Sequence, residues 1–273
     1  MSKMNLPALF YRQIWPVDTG VPLIRLGGTK DGSYLVPNAI DGIQLCLSPG
    51  TCGIIDFERS LSEIYGIPCL LCDPAENAPE NLPPLLKFDR IALASVDGPD
   101  TRSISSWMHS HGYGDASPLL LSMDIEGGEI DVILGMQHDI LSRIRIATIE
   151  FHYLQILHAE PSSRYATSVI DVLNKMRQYF DIVHFKPNNN CPYHVSSGKS
   201  SHGTFYTCIE LTFLNKQLRR KGPTQLPLKA LPHIMDESNV DNKPSVDYTA
   251  YINLPLVSVL FCFCNKNLWG YQG

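Results

Sequence analysis

Between Ile43 and Leu214, short runs of aliphatic and β-branched residues alternate with longer segments whose apolar residues return at helical spacing. The short runs are Ile43–Ser48, Pro68–Cys72, Arg90–Ser95, Leu119–Met123, Ile144–Ile149, Ile182–Phe185 and Cys208–Phe213. The segments between them include Ile55–Tyr65, Glu129–Leu141 and Ser163–Phe180, the last with Tyr165, Val169, Val172, Leu173 and Met176 on one helical face. This alternation predicts parallel strands joined by helical crossovers, an open α/β sheet with helices on both faces. No helix separates the last two runs. The segment Lys186–Thr207, rich in Asn, Pro, Ser and Gly, predicts a long loop and then an antiparallel edge strand. From Lys216 to Tyr248, four prolines among charged residues predict an extended arm lying on the domain. The chain thus divides into a lead-in (1–24), a main domain (25–215), the arm (216–250) and an apolar tail (251–273) that serves as an extra edge strand or a docking segment. No repeat of 20–50 residues is present.

Composition narrows the classes. The 273 residues are 44% hydrophobic and 18% charged, which permits a large core and excludes wholesale disorder. A net charge of −5 argues against a general nucleic-acid binder. Neither a signal peptide nor a membrane span is predicted. The longest apolar candidate, Tyr251–Cys264, is interrupted by Asn253, Pro255 and Ser258. The expectation is a soluble cytoplasmic chain whose eight cysteines are free thiols. Cys69 and Cys72 stand three apart on a predicted strand and point to opposite faces, so they share no metal. Cys262 and Cys264 lack a second pair.

Three strand ends carry candidate chemistry. The first run, ending at Ser48, enters Pro49-Gly50-Thr51-Cys52-Gly53 before a helix, and the next ends at Asp73. Glycines there let backbone approach a nucleotide, and an acidic residue about 20 positions on can bind a ribose diol. A simple Pro-Gly turn fits the same residues. The fourth run enters Asp124-Ile125-Glu126-Gly127-Gly128-Glu129. Helix-dipole capping explains Glu129 and serves for Glu126, but not Asp124 behind a wholly apolar strand. The fifth run ends at Glu150 and His152, which face the same way. In a sheet ordered 3-2-1-4-5, Gly50, Asp124 and Glu150 line one crevice. His152 is either a general base or a histidine satisfied by a neighbouring carboxylate. The loop beyond carries His184, Lys186, Asn188, Asn189, Asn190 and His194, a plain turn or a polyhydroxy-substrate contact.

With these residues in view, the chain resembles the FkbM-type methyltransferases, a branch of the S-adenosylmethionine-dependent class. The resemblance runs from about Arg25 to Tyr248. It rests on RLGGTKDGSYLVP, CLSPGTCGIIDFE, SMDIEGGEIDVILG, IEFHY and CIELTFL, with the later LPHIMDESNVDNKPSVD similar to a segment found after the core in some members. It implies a class I methyltransferase (Rossmann-like) fold with a seven-stranded sheet whose last strand is antiparallel. It implies S-adenosylmethionine as cofactor, with Ser48, Gly50, Gly53, Asp73 and Asp124 on the cofactor side and the Asp124–Glu126 element on the methyl-transfer side. Cys52 departs from the more glycine-rich loop of the wider class.

The expected activity is transfer of a methyl group to a hydroxyl of a sugar or another small polyhydroxy compound. Asp124, Glu126 and His152 are the candidate base or orienting groups. No metal is required by this reading. A variant has Asp124, Glu126, Glu150 and His152 holding a divalent ion. Two other readings stand beside it: a non-catalytic binding protein on the same fold, and a nicotinamide-dependent oxidoreductase.

Overall fold

The computed structural model describes residues 5–191, 193–198, 201–239, 248 and 251. Its centre is a seven-stranded sheet: β1 (Leu45–Pro49), β2 (Cys69–Cys72), β3 (Leu86–Asp89), β4 (Leu119–Met123), β5 (Ile144–Phe151), β6 (Phe180–Pro187) and β7 (Ile209–Asn215). Their order across the sheet is β6-β7-β5-β4-β1-β2-β3. The first five strands pair in parallel, and β7 runs antiparallel to both β5 and β6. Helices α1 (Leu6–Gln13), α2 (Asp56–Tyr65), α3 (Ile104–Ser110), α4 (Glu129–Gly135), α5 (His138–Arg143), α6 (Ile156–Ala159) and α7 (Arg164–Tyr179) complete the fold. Among the described residues no helix is long and apolar enough to cross a membrane.

The sheet splits the core into two apolar layers. Cys69 belongs to one layer and Cys72 to the other, as period-two alternation demands. Ser163 caps α7 by accepting from the Ala166 N–H, and Gly66, at φ +68°, closes α2. Residues 1–24, set apart as a lead-in by their sequence, contribute α1, whose Phe10 and Tyr11 are buried in the same layer as Ile14. The arm lies on the domain: Val17–Asp18 pairs with Thr224–Gln225, and Arg25 Nε donates to the Met235 carbonyl at 3.1 Å.

Five expectations need correction. The antiparallel strand is not at the edge. β7 pairs along one side with β5 and along the other with β6, so it lies inside the sheet and β6 takes the edge. The third strand is Leu86–Asp89, not Arg90–Ser95. Leu86 anchors it in the core, while Ala92–Leu93 pairs separately with Thr101–Arg102. The segment Glu129–Leu141 holds two helices, because Met136 adopts an extended conformation between them and Lys175 Nζ donates to the Leu134 and Met136 carbonyls at 2.7 Å. Lys186–Thr207 is not an open loop: β6 continues to Pro187, and Tyr193–Gly198 pairs with Ser201–Tyr206 as a hairpin. Finally, the base of that hairpin brings Cys191 and Cys208 to a Cα separation of 5.8 Å, where they form a disulfide. Cys46, Cys52, Cys69 and Cys72 are free. Disulfides persist in oxidising compartments and are rare in the cytosol, so this pair fits poorly with a cytoplasmic setting. Cys262, Cys264 and the tail from 252 to 273 lie outside the described residues, as does the side chain of His194.

Candidate functional site

A cleft opens at the carboxyl ends of β1, β4 and β5, where ligands of open α/β sheets bind. Its floor is set by backbone. The Asp124 N–H donates to the Pro49 carbonyl at 3.0 Å, lacing the β1 and β4 loops together, and the Gly50 N–H donates to the Cys72 carbonyl at 2.8 Å, tying the β1 loop to the end of β2. Gly50 sits at φ +80°, and a Cβ placed there would lie 1.6 Å from the Asp124 carbonyl oxygen. Only glycine fits. Cys52 follows at φ +44°, a left-handed conformation uncommon for residues with a side chain. Burial and the nearby Asp124 and Asp73 carboxylates push its thiol up to about 11, so it stays protonated and non-nucleophilic.

The β4–α4 turn supplies the acids. Glu126 is held at φ +55°. Glu129 is wholly buried, and its Oε1 accepts from the backbone N–H groups of Ile125 and Gly127 and from His152 Nδ1, each at 3.1 Å. That carboxylate therefore shapes the turn and orients the imidazole together. His152 Nε2 then faces Glu126 Oε2 at 3.4 Å, Asp124 Oδ1 at 3.5 Å and Glu150 Oε1 at 3.8 Å. Asp124 Oδ1 is buried and has no hydrogen-bond partner. Asn188 Nδ2 donates to both oxygens of Glu150, at 3.0 and 3.3 Å. Asp31 and Tyr34, from the hairpin Leu23–Leu26/Tyr34–Pro37, and Asn190 and Cys191 complete the walls.

Crowded carboxylates in a poorly solvated cleft resist ionising together. Burial raises Asp124 to about 7, with Glu126, Glu129 and Asp31 adding to the rise and His152 opposing it. Glu150 is raised by burial and by Asp124 and Glu210. For His152, burial works against the charge, but the bonded Glu129 and the nearby Asp124 and Glu126 outweigh it and raise the imidazole above its usual value.

The cleft brings together Ser48, Gly50, Asp124, Glu126, Glu150 and His152. Ser48 is buried and its hydroxyl donates to Glu58 Oε1, so its side chain is already engaged. Gly53 and Asp73 do not line the cleft. Asp73 stands at the end of β2 beside the loop, but its oxygens accept from the N–H groups of Ala75 at 2.9 Å, Glu76 at 3.2 Å and Cys52 at 3.4 Å. Of the asparagine run, Asn188 and Asn190 reach the cleft. His184 pairs with Asp236 at 2.9 Å and Lys186 with Glu210 at 3.2 Å. Sequence reasoning missed Glu58, Thr51, Asp31 and Tyr34. Glu58 had a signal: it lies three and four residues before Leu61 and Ser62 on the buried stripe of α2. Burial raises its carboxyl to about 7.

The missing side chain at Gly50 makes room for the Asp124 backbone; the fit to a positively charged, nucleotide-type cofactor rests on the cleft itself, where the Gly50 turn meets the carboxylates of Asp124, Glu126 and Glu150. Among the described residues, two clusters place cation-binding atoms within 4.8 Å of one another without using a disulfide sulfur: Asp124, Glu126 and His152, and Asp31, Glu150 and Glu210.

Comparison with known proteins agrees with the resemblance over part of the chain. Residues 77–195 match the family model described as Methyltransferase FkbM domain, a narrower span than the sequence suggested, holding the acidic turn and His152 but not the Gly50 loop. No curated protein matches the chain. Two solved structures are similar at low identity. A fibrillarin/Nop5p complex is 12% identical, with 64% of this chain and 73% of that chain covered and a TM-score of 0.36. A mutant of the 16S rRNA (adenine(1408)-N(1))-methyltransferase from Catenulisporales acidiphilia is 13% identical, with 71% of this chain and 97% of that chain covered and a TM-score of 0.32. Likenesses so distant carry no argument about function. The family match falls on the residues that build the acidic half of the cleft: residues 77–195 of this chain are similar to the methyltransferase FkbM domain.

Proposed function

We propose that the protein transfers a methyl group from S-adenosylmethionine to a hydroxyl oxygen of a sugar or another small polyhydroxy compound. The strand order fits the class I methyltransferase arrangement. The observation that carries the reading is the single cleft in which the Gly50 turn meets Asp124, Glu126, Glu150 and His152. When bound, the cofactor supplies a methyl group made electrophilic by its sulfonium. The Gly50 turn forms the wall against which it lies. The surrounding carboxylates complement its positive charge. An alcohol must also lose its proton as the new carbon–oxygen bond forms. Asp124 Oδ1, buried and without a hydrogen-bond partner, is the acceptor best placed for that proton. Glu129 fixes the imidazole of His152 so that Nε2 faces the same space, and Glu126 closes it. Asn188 and Asn190 line the wall of the cleft beside the acceptor.

The test is incubation with S-adenosylmethionine labelled in its methyl group and a panel of sugars and polyols. The expected result is label in a hydroxylated product, with Asp124→Asn lowering the rate at least about 100-fold, the usual scale for losing a general base. Binding of reduced nicotinamide cofactor in place of S-adenosylhomocysteine would favour the oxidoreductase reading. Cofactor binding with no turnover on any acceptor would favour the non-catalytic one.

A further inference from the structure

We infer that the cleft holds one divalent cation, bound by His152 Nε2, Asp124 Oδ1 and a Glu126 oxygen. The inference deepens the methyltransferase reading and rests on it for the ion's purpose, but not for the ion's existence. Its first support is the orientation of a buried histidine. His152 is 6% exposed, and its Nδ1 is fixed on the Glu129 carboxylate at 3.1 Å. A carboxylate behind one ring nitrogen with the other aimed at open ligand space is the usual support of a metal-bound imidazole. Here Nε2 looks onto three carboxylate oxygens at 3.4 to 3.8 Å, beyond good hydrogen-bond distance.

The second support is spacing. An ion about 2.1 Å from two ligand atoms holds them about 3.0 Å apart at a right angle and about 3.4 Å apart at the tetrahedral angle. Glu126 Oε2 and Asp124 Oδ1 stand 3.4 and 3.5 Å from Nε2, too long for good hydrogen bonds and close to that ligand–ligand distance. The third is Asp124 Oδ1, a buried oxygen on a side chain 26% exposed overall, to which no donor among the described residues hydrogen-bonds. Carboxylates with one imidazole suit Mn²⁺, Mg²⁺ or Zn²⁺ more than soft metals. The side of the cluster formed by Glu126, whose side chain is 67% exposed, stays open for a hydroxyl. A hydroxyl on the ion loses its proton more readily. In the transfer, the oxygen–methyl bond forms as the sulfur–methyl bond breaks. The electron pair returns to sulfur, and with Oδ1 taken up by the ion the hydroxyl proton passes to the other carboxylate oxygen of Asp124, in place of Oδ1.

The experiment titrates Mn²⁺ alone into the full chain, freed of metal by chelator, and reads free Mn²⁺ by its paramagnetic resonance signal. One Mn²⁺ per chain is expected. Glu126→Gln, an exposed and fold-neutral change, should weaken binding at least tenfold, as should Asp124→Asn. Glu63→Gln, far out on α2, should leave binding unchanged. No loss of free signal up to millimolar Mn²⁺ would overturn the site. So would equal binding by the wild type and both cluster variants, since that is diffuse attraction to an acidic surface. S-adenosylhomocysteine binding is measured on the same samples in chelator. Its presence without Mn²⁺ binding overturns the ion and leaves the methyltransferase reading standing. Mn²⁺ binding without it supports the ion and removes the methyltransferase reading.

Discussion

Replacing Gly50 by alanine tests whether the laced loops are the working part of the cleft. The new Cβ would lie 1.6 Å from the Asp124 carbonyl oxygen and 2.4 Å from its carbon. Ordinary contact begins near 3.2 Å, so the β1 and β4 loops must separate by about 1.6 Å, on the order of half a van der Waals contact. Two bonds resist that movement, Gly50 N–H to Cys72 and Asp124 N–H to Pro49. Losing one or both removes about 1 kcal/mol each. The left-handed backbone adds about 1–2 kcal/mol for any residue with a Cβ. The sum is about 2–4 kcal/mol, read by urea unfolding. Gly53→Ala is the comparison. Gly53 has φ +75°, but nothing lies within 4 Å of its Cβ position, so only the strain of about 1–2 kcal/mol applies. A misplacement of about 1 Å typically costs about 100-fold in rate, so Gly50→Ala that still folds should lose at least that much methyl transfer. A folded Gly50→Ala protein with wild-type stability and turnover would refute the reasoning.

Three further outcomes follow from the same geometry. Glu58 has a folded pKa raised to about 7 from 4.5, so its contribution to stability is fully present below about pH 4.5 and is lost as pH rises through 7. Glu58→Gln should therefore be more stable than wild type at pH 8.5, by up to about 3 kcal/mol, and no more stable at pH 4.5; an equal difference at both pH values in urea melts would contradict the burial argument. The Cys191–Cys208 disulfide closes a 17-residue separation, so reduction should cost about 3 kcal/mol and loosen the Asn188–Cys191 wall; an unchanged melting temperature in reductant would show that the bond is absent in solution. Glu129→Gln should lower turnover while sparing cofactor affinity, because Glu129 touches His152 and backbone but does not line the cleft; the check is rate and S-adenosylhomocysteine affinity measured side by side.

Much of this site was legible because strand ends in a parallel sheet are fixed by local pattern. The apolar runs LLLSM and IRIATIEF placed Asp124 and His152 at neighbouring carboxyl ends once the 3-2-1-4-5 order was assumed, and that order is observed. The rest depends on contacts distant in sequence. Nothing local distinguishes β7 at an edge from β7 between two strands, since that turns on whether β6 pairs beyond it. The disulfide needed the hairpin to bring residues 191 and 208 together. Asp73 had the spacing of a ribose ligand; its Oδ1 accepts from the turn that follows β2 and its Oδ2 faces the Cys52 N–H at 3.4 Å, engagements that spacing does not reveal. The Asp31 and Tyr34 walls come from a hairpin that precedes the sheet and folds over its carboxyl edge.

The central claim, that the cleft takes the methyl donor, is tested most directly by thermal unfolding with and without S-adenosylhomocysteine. At about 100 times its dissociation constant a bound ligand adds roughly 2.7 kcal/mol, and for a chain of this size that is a rise of about 5–10 °C. The account predicts that rise for the wild type and its loss in Gly50→Ala. A melting temperature that does not move up to millimolar ligand would contradict it.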